Sequence, residues 1–300
     1  MSKIQKALDA LKDGTDGQAE KPRRSRRPYV QKRYIPDGAA VAEVLPQFSI
    51  AVDLETLRAE GLHPKVEDFE AINQQFRRVK RPVLSIAFKQ ELTEGENPNV
   101  IMVSSALPKS GKTFCSINLA LSIARERDVG AVIVDADVLK PNISRVLDLE
   151  ERPGLIDYLV DPAVTIDDIL VGTDLYDIIV VPAGGRHEEA TELLASRRMQ
   201  EFIHALAERF SSRAIVVDTP PLLLTNEANV LAENMGQIIL VVEAGISTQE
   251  SVIEAVGLLN SEKPINAIVN KSRGMDVGGY GANGYSYYGA GGYGYGQDDH

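Results

Sequence analysis

Residues 106–113 read Ala-Leu-Pro-Lys-Ser-Gly-Lys-Thr, and no other stretch constrains the fold as much. An apolar run from Val100 to Ser105 leads into this octapeptide, and apolar residues at helical spacing leave it from Phe114 to Arg125. The order is strand, tight loop, helix. The pattern is the phosphate-binding P-loop, G-x-x-x-x-G-K-[ST], with Ala106 at the first glycine position. Backbone N–H groups of such a loop and of the helix start converge on an anion. Gly111 lets the backbone approach phosphate with no Cβ in the way. Lys112 reaches the β- and γ-phosphates, and Thr113 offers a hydroxyl to Mg²⁺. Pro108 has no N–H, so the cradle is built from the other amides of Ala106, Leu107, Lys109, Ser110, Gly111, Lys112, Thr113 and Phe114.

From about 98 to 273, short apolar runs alternate with helical patterns. Strands are expected at 99–105, 131–135, 176–182, 213–218, 236–243 and 265–270, and helices at about 111–127, 188–210 and 247–260. This alternation predicts an α/β fold, a P-loop NTPase with a mostly parallel sheet and helices on both faces. Nucleotides bind such sheets at the carboxyl ends of the strands, and three clusters fall there. In Val132-Ile-Val-Asp135-Ala-Asp137 two carboxylates emerge on one side of a strand. Adjacent carboxylates are unfavourable without a cation between them. The Mg²⁺ of a nucleotide supplies one; a strand-end Asx turn is the plainer alternative. In Ile215-Val-Val-Asp218-Thr-Pro-Pro221 the apolar strand ends in Asp218, which reads as the Walker B acid acting on Mg²⁺ directly or through water. Ala267-Ile-Val-Asn270 ends in an amide that either hydrogen-bonds an adenine edge or terminates the strand. Gly184-Gly185 reads as a turn in preference to a ligand contact.

The 300 residues divide into an N-terminal helix and basic linker (1–47), a helical lead-in (48–97), the P-loop domain (98–273) and a tail (274–300). Ile4, Ala7, Leu8 and Leu11 have helical spacing, so 2–12 is either a frayed amphipathic end or a docking helix. Net charge is −11, yet residues 21–33 carry seven Lys and Arg and no acid. That run serves a membrane surface, a plain linker or nucleic acid; with Tyr29 as its one aromatic, nucleic acid is not expected. Two short helices are expected around Leu54 and over Phe69–Phe76, the second ending before Pro82. The lone Cys115 excludes an internal disulfide and reads as a small buried residue. No run of 18 apolar residues and no secretory signal is present, which predicts a soluble, cytoplasmic chain.

After Arg273 the composition turns to Gly, Tyr, Ala, Asn and Ser, which predicts disorder. Six of the ten tyrosines lie here: Tyr280, Tyr285, Tyr287, Tyr288, Tyr293 and Tyr295. Spaced phenols on a flexible tether beside an ATP site form a substrate array; an adhesive low-complexity segment is the plainer alternative. A phenol ionises near pH 10 and needs a base. Asp135 is the expected base, with Asp137 and Asp218 on the metal beside Thr113, and Lys112 stabilising charge on the transferring phosphoryl group.

Taken together these motifs resemble the bacterial protein-tyrosine kinases of exopolysaccharide biosynthesis, over about 48–300. The match looks closest to the autokinases that form a chain separate from their membrane polysaccharide co-polymerase, whose opening looks like Ser-Lys-Ile-Gln-Lys-Ala-Leu at 2–8. In that family the P-loop often begins with alanine, Asp135-Ala-Asp137 matches the second Walker-type motif, and the tyrosine tail matches the autophosphorylation cluster. The resemblance implies the deviant-Walker P-loop fold, ATP with Mg²⁺, a co-polymerase or chain-length determinant partner, a homo-oligomer and a cognate tyrosine phosphatase. It also implies recruitment to the inner face of the membrane. Two positions depart from the family. Leu139 stands where its second motif, D-x-D-x-R, carries arginine, and Gln75 replaces the glutamate of the oligomer motif E-x-x-R-x-x-R, which retains Arg78 and Arg81. The rival reading is a nucleotide-switched ATPase of the partition or septum-positioning type. Those carry lysine at the second loop position, here Leu107, and no tyrosine tail. A third reading is a scaffold binding through residues 21–33, with ATP as a structural ligand only.

Overall fold

The computed structural model describes residues 46–88, 97–225, 227–259 and 263–272. The expected helix at 2–12, the basic run at 21–33 and the six tail tyrosines lie outside the described residues. The chain opens with β1 (Phe48–Ile50), α1 (Leu54–Ala59) and α2 (Phe69–Ala87). It continues through β2 (Val100–Ser105), α3 (Lys112–Ile123), β3 (Gly130–Asp135), α4 (Asn142–Val146), α5 (Leu155–Val160) and α6 (Ile166–Ile169). Then come β4 (Val171–Thr173), β5 (Ile178–Val181), α7 (Ala190–Leu194), α8 (Arg197–Arg209) and β6 (Arg213–Asp218). The described part closes with α9 (Glu227–Glu233), β7 (Gln237–Glu243), α10 (Gln249–Leu258) and β8 (Ile265–Asn270).

The strands form one sheet of eight in the order β1-β4-β5-β3-β6-β2-β7-β8. Every pairing is parallel except β4 with β5. All residues of β2, β3, β5 and β6 are buried. That is what continuous Val/Ile runs predict for strands covered on both faces. Alternate side chains divide between two cores. Met102, Val132 and Val217 face the side covered by α5, α7 and α8. Ile101, Ile133 and Val216 face the side covered by α1, α2 and α3. Helix α8 shows how a helix is drawn onto the sheet. Met199, Phe202, Ile203 and Leu206 repeat at helical spacing and are fully buried, and Ser196 caps the start by accepting from the Met199 N–H.

Helix α2 does not stop before Pro82, as expected, but runs through it to Ala87. Proline removes one backbone donor, that to the Arg78 carbonyl. Packing sustains the helix across the gap, because Phe76, Lys80, Val83 and Ala87 recur on one buried face. Lys80 is 7% exposed; its Nζ donates to the Ser122 carbonyl at 2.7 Å and pairs with Glu126 at 2.6 Å. A charged donor to a helix-end carbonyl contributes about 1.5–3 kcal/mol. Lys80→Met keeps the apolar stem and is expected to lower unfolding stability by about that amount, read from urea denaturation. Gln75, Arg78 and Arg81 lie on the opposite, exposed face and have no ion-pair partner among the described residues.

Two short strands had no counterpart in the sequence reading. β1 brings residues 48–50 onto β4, and β4 returns antiparallel beside β5. The lead-in segment therefore contributes one of the two edge strands of the sheet, opposite β8.

Candidate functional site

The carboxyl ends of β2, β3 and β6 lie side by side, and they carry the expected residues. Asp135 and Asp218 are register partners on β3 and β6, and Val103 of β2 pairs with Asp218. β2 leads into the loop at 106–111, and α3 starts at Lys112. Gly111 has φ +91°, and a Cβ there would lie 2.1 Å from Asn270 Nδ2. Only glycine suits both the conformation and the space. Lys109 also adopts a positive φ, of 65°. The loop is held from within, since Ser105 Oγ and Ser110 Oγ both donate to the Leu107 carbonyl, at 2.6 and 2.9 Å. β8 holds it from outside. Asn270 Nδ2 donates to the Ser110 carbonyl at 2.9 Å, and Lys271 Nζ to the Lys109 carbonyl at 2.6 Å.

Lys112 is buried, and its Nζ lies 3.9 Å from Asp137 Oδ2. Thr113 Oγ1 donates to Asp218 Oδ2 at 2.7 Å, and Ser116 Oγ to Asp218 Oδ1 at 2.9 Å. Asp135 has no exposed surface, and its Oδ2 accepts from the Ser144 N–H at 2.8 Å and Oγ at 2.7 Å. Its Oδ1 is buried without a hydrogen-bond partner. Asp137, 9% exposed, is the one of the three aspartates with an open edge. The ring of Phe114 packs on Phe76, 6.2 Å between centroids, so what Phe114 offers the site is its first-turn amide. Cys115 is buried, and its thiol is pushed up to about 12 by burial. Gly184 and Gly185 form a turn held by Asp157, whose Oδ2 accepts from the Gly154 and Gly185 N–H groups.

Burial pushes the Asp135 carboxyl up to about 8, with the Asp218 charge adding to it. Asp218 is pushed up to about 6 by burial, opposed by Lys112 and by the Thr113 hydroxyl. Burial also raises Asp137, against the pull of Lys112. Three acids held above their ordinary range, one with an orphaned oxygen, suit a divalent cation. No group of three such ligands among the described residues holds an ion unaided. Mg²⁺ in nucleotide sites is held by one or two carboxylates together with phosphates and water, a donor set that Asp137 and Asp218 fit.

The raised values carry a sign. A carboxyl raised in the folded state stabilises the protein fully below its ordinary value of 3.8, and that stability is lost as pH rises through the folded value. The nucleotide-free protein should therefore lose stability as pH rises through about 6 for Asp218 and about 8 for Asp135. Scanning calorimetry between those values should show a falling midpoint, and Asp135→Asn should flatten the fall.

Sequence reasoning missed Ser116 and Ser144. Ser116 was legible in principle, three residues after Thr113 on the same helical face. Ser144 reaches Asp135 from a separate short helix and leaves no local signal.

No protein-family model matches the chain. The tyrosine-protein kinase etk of Escherichia coli (strain K12) is 27% identical over 250 residues, covering 78% of this chain and 34% of that protein. The succinoglycan biosynthesis transport protein ExoP of Rhizobium meliloti (strain 1021) is 30% identical over 198 residues, 63% of this chain and 24% of that protein. The chain thus spans about a third or less of these two curated relatives. Among solved structures, the VpsO kinase domain superposes with a TM-score of 0.56 and 26% identity, over 68% of this chain and 98% of that domain. Tyrosine kinases and polysaccharide synthesis recur among these relatives, and they do not favour the partition-type alternative. Among the described residues no helix is long and apolar enough to cross a membrane.

Proposed function

We infer that the chain is a bacterial protein-tyrosine kinase of exopolysaccharide biosynthesis, an ATP:protein-tyrosine phosphotransferase whose first substrate is its own C-terminal tyrosine cluster. One observation carries the autokinase reading: β8 ends against the phosphate loop, through Asn270 on Ser110 and Lys271 on Lys109. The described chain therefore ends beside the loop, and the tyrosine-bearing tail follows it in sequence.

In this reading the amides of 106–114 and the Lys112 ammonium bind the β- and γ-phosphates, and Asn270 meets the adenine through its free carbonyl oxygen. Thr113, Asp137 and Asp218 would hold Mg²⁺, which when bound supplies charge neutralisation at the phosphates. The tyrosine Oη forms a bond to the γ-phosphorus, and the bond from that phosphorus to the β–γ bridging oxygen breaks. The bonding pair leaves with ADP. The phenolic proton goes to the Asp135–Asp137 pair. Asp135, the expected base, has no exposed surface, and Asp137 beside it opens outward. The two carboxyls share one strand end, two residues apart. Lys112 then stabilises charge on the transferring group without reorganising.

A membrane co-polymerase would recruit the chain to the inner membrane face, a cognate phosphatase would reset it, and Arg78 and Arg81 on α2 would serve self-association. Incubating the purified chain with Mg-ATP separates this reading from a switch ATPase. The kinase leaves alkali-stable phosphate on protein. Release of free phosphate with no phosphotyrosine would sink the proposal.

A further inference from the structure

Large aliphatic side chains stand exposed on the loops that surround the phosphate site. Leu139 follows β3 and is 58% exposed, Leu224 follows β6 and is 62% exposed, and Ile246 follows β7 and is 63% exposed. These strands are close neighbours, with β2 and its P-loop between β6 and β7. Backbone bonds tie the loops to the site. The Leu223 N–H donates to the Ala106 carbonyl, and the Ala136 N–H to the Asp218 carbonyl. Apolar side chains gathered beside a ligand site, rather than scattered singly, mark surfaces where something binds.

We propose that Leu139 and Leu224, with Ile246 on the approach, form an apolar lip that seats the uncharged Gly/Tyr tail and so selects which tyrosines are phosphorylated. The proposal rests on the kinase reading above and specifies the acceptor side of that same site. Three features identify the occupant. First, residues 278–296 contain no charged side chain, so this segment crosses an aliphatic lip without burying a charge. Second, the tail leaves β8, and Ile246, the P-loop, Leu224 and Leu139 follow in that order along the sheet edge. From β8 to β3 is four strand spacings, about 19 Å at roughly 4.8 Å each. Third, Tyr280 lies eight residue steps beyond Ser272. Extended, they span up to about 28 Å at roughly 3.5 Å per residue, so even the first tail tyrosine reaches the far end of the lip. Glycine-rich spacing keeps the backbone thin, and each phenol ring supplies the apolar face that packs on leucine.

The test uses the full chain with Leu139→Glu/Leu224→Glu, a Leu139→Met/Leu224→Met control, and a synthetic peptide of residues 278–296 as added acceptor. Losing two apolar contacts and facing a charge should raise KM for the peptide about tenfold or more, with kcat unchanged. Affinity for a fluorescent ADP should stay within about twofold, and the Met control should match wild type. An unchanged peptide KM in the Glu variant overturns the proposal. So does a parallel loss of ADP affinity, which would place the leucines in the nucleotide site. Sedimentation showing that the Glu variant dissociates an oligomer, with peptide KM unmoved, would make the lip a contact between copies. If wild-type protein phosphorylates no tyrosine at all, the kinase reading fails first, and the lip has no acceptor to select.

Discussion

Lys112→Met should leave a folded chain that forms no phosphotyrosine. The lysine is buried beside Asp137, and its charge restrains both Asp137 and Asp218 against the rise that burial imposes. Methionine keeps the stem and the packing and removes the charge. Both carboxyls then move further up, which weakens a Mg²⁺ site, and the transferring phosphoryl group loses its nearest cation. Removing one such stabilising group typically lowers transfer by a factor of about a hundred to a thousand. Initial rates of tail phosphorylation, beside a circular dichroism spectrum matching wild type, give the measurement. A rate within about tenfold of wild type would show that the loop lysine does not act on the reacting phosphate.

Gly111→Ala should abolish nucleotide binding by a different route. The added methyl would lie 2.1 Å from Asn270 Nδ2, and φ of +91° is strained for any residue with a Cβ. The loop must then shift, taking with it the amides that face phosphate. Strain of about 1–3 kcal/mol together with the misplaced amides should weaken ADP binding at least about a hundredfold. Removing the colliding amide as well, in Gly111→Ala/Asn270→Ala, should recover only part of the affinity, because the torsion remains strained. Full recovery in the double variant would mean that collision, not backbone conformation, sets the requirement for glycine.

Much of the site was legible because its signals are local. The P-loop, the paired aspartates at the end of one apolar run and the single aspartate at the end of another each sit within a few residues of sequence. The sheet that aligns them follows from buried Val/Ile runs. What escaped depends on distant partners. Phe48 pairs with Val171, and Ser144 with Asp135, through contacts that only the folded chain creates. Pro82 misled for the same reason, since a buried face packed on α3 outweighs one missing backbone donor. The different burial of Asp135 and Asp137 was not legible either, since their spacing places both at one strand end and only the fold hides one and opens the other.

Phosphopeptide mapping of the full chain after exposure to Mg-ATP, with a membrane fraction supplying the recruiting partner, tests the central claim most directly. Phosphate should appear on tyrosines among Tyr280, Tyr285, Tyr287, Tyr288, Tyr293 and Tyr295, and disappear in the Lys112→Met chain. A chain that binds ATP yet leaves all six rings unmodified would contradict the account.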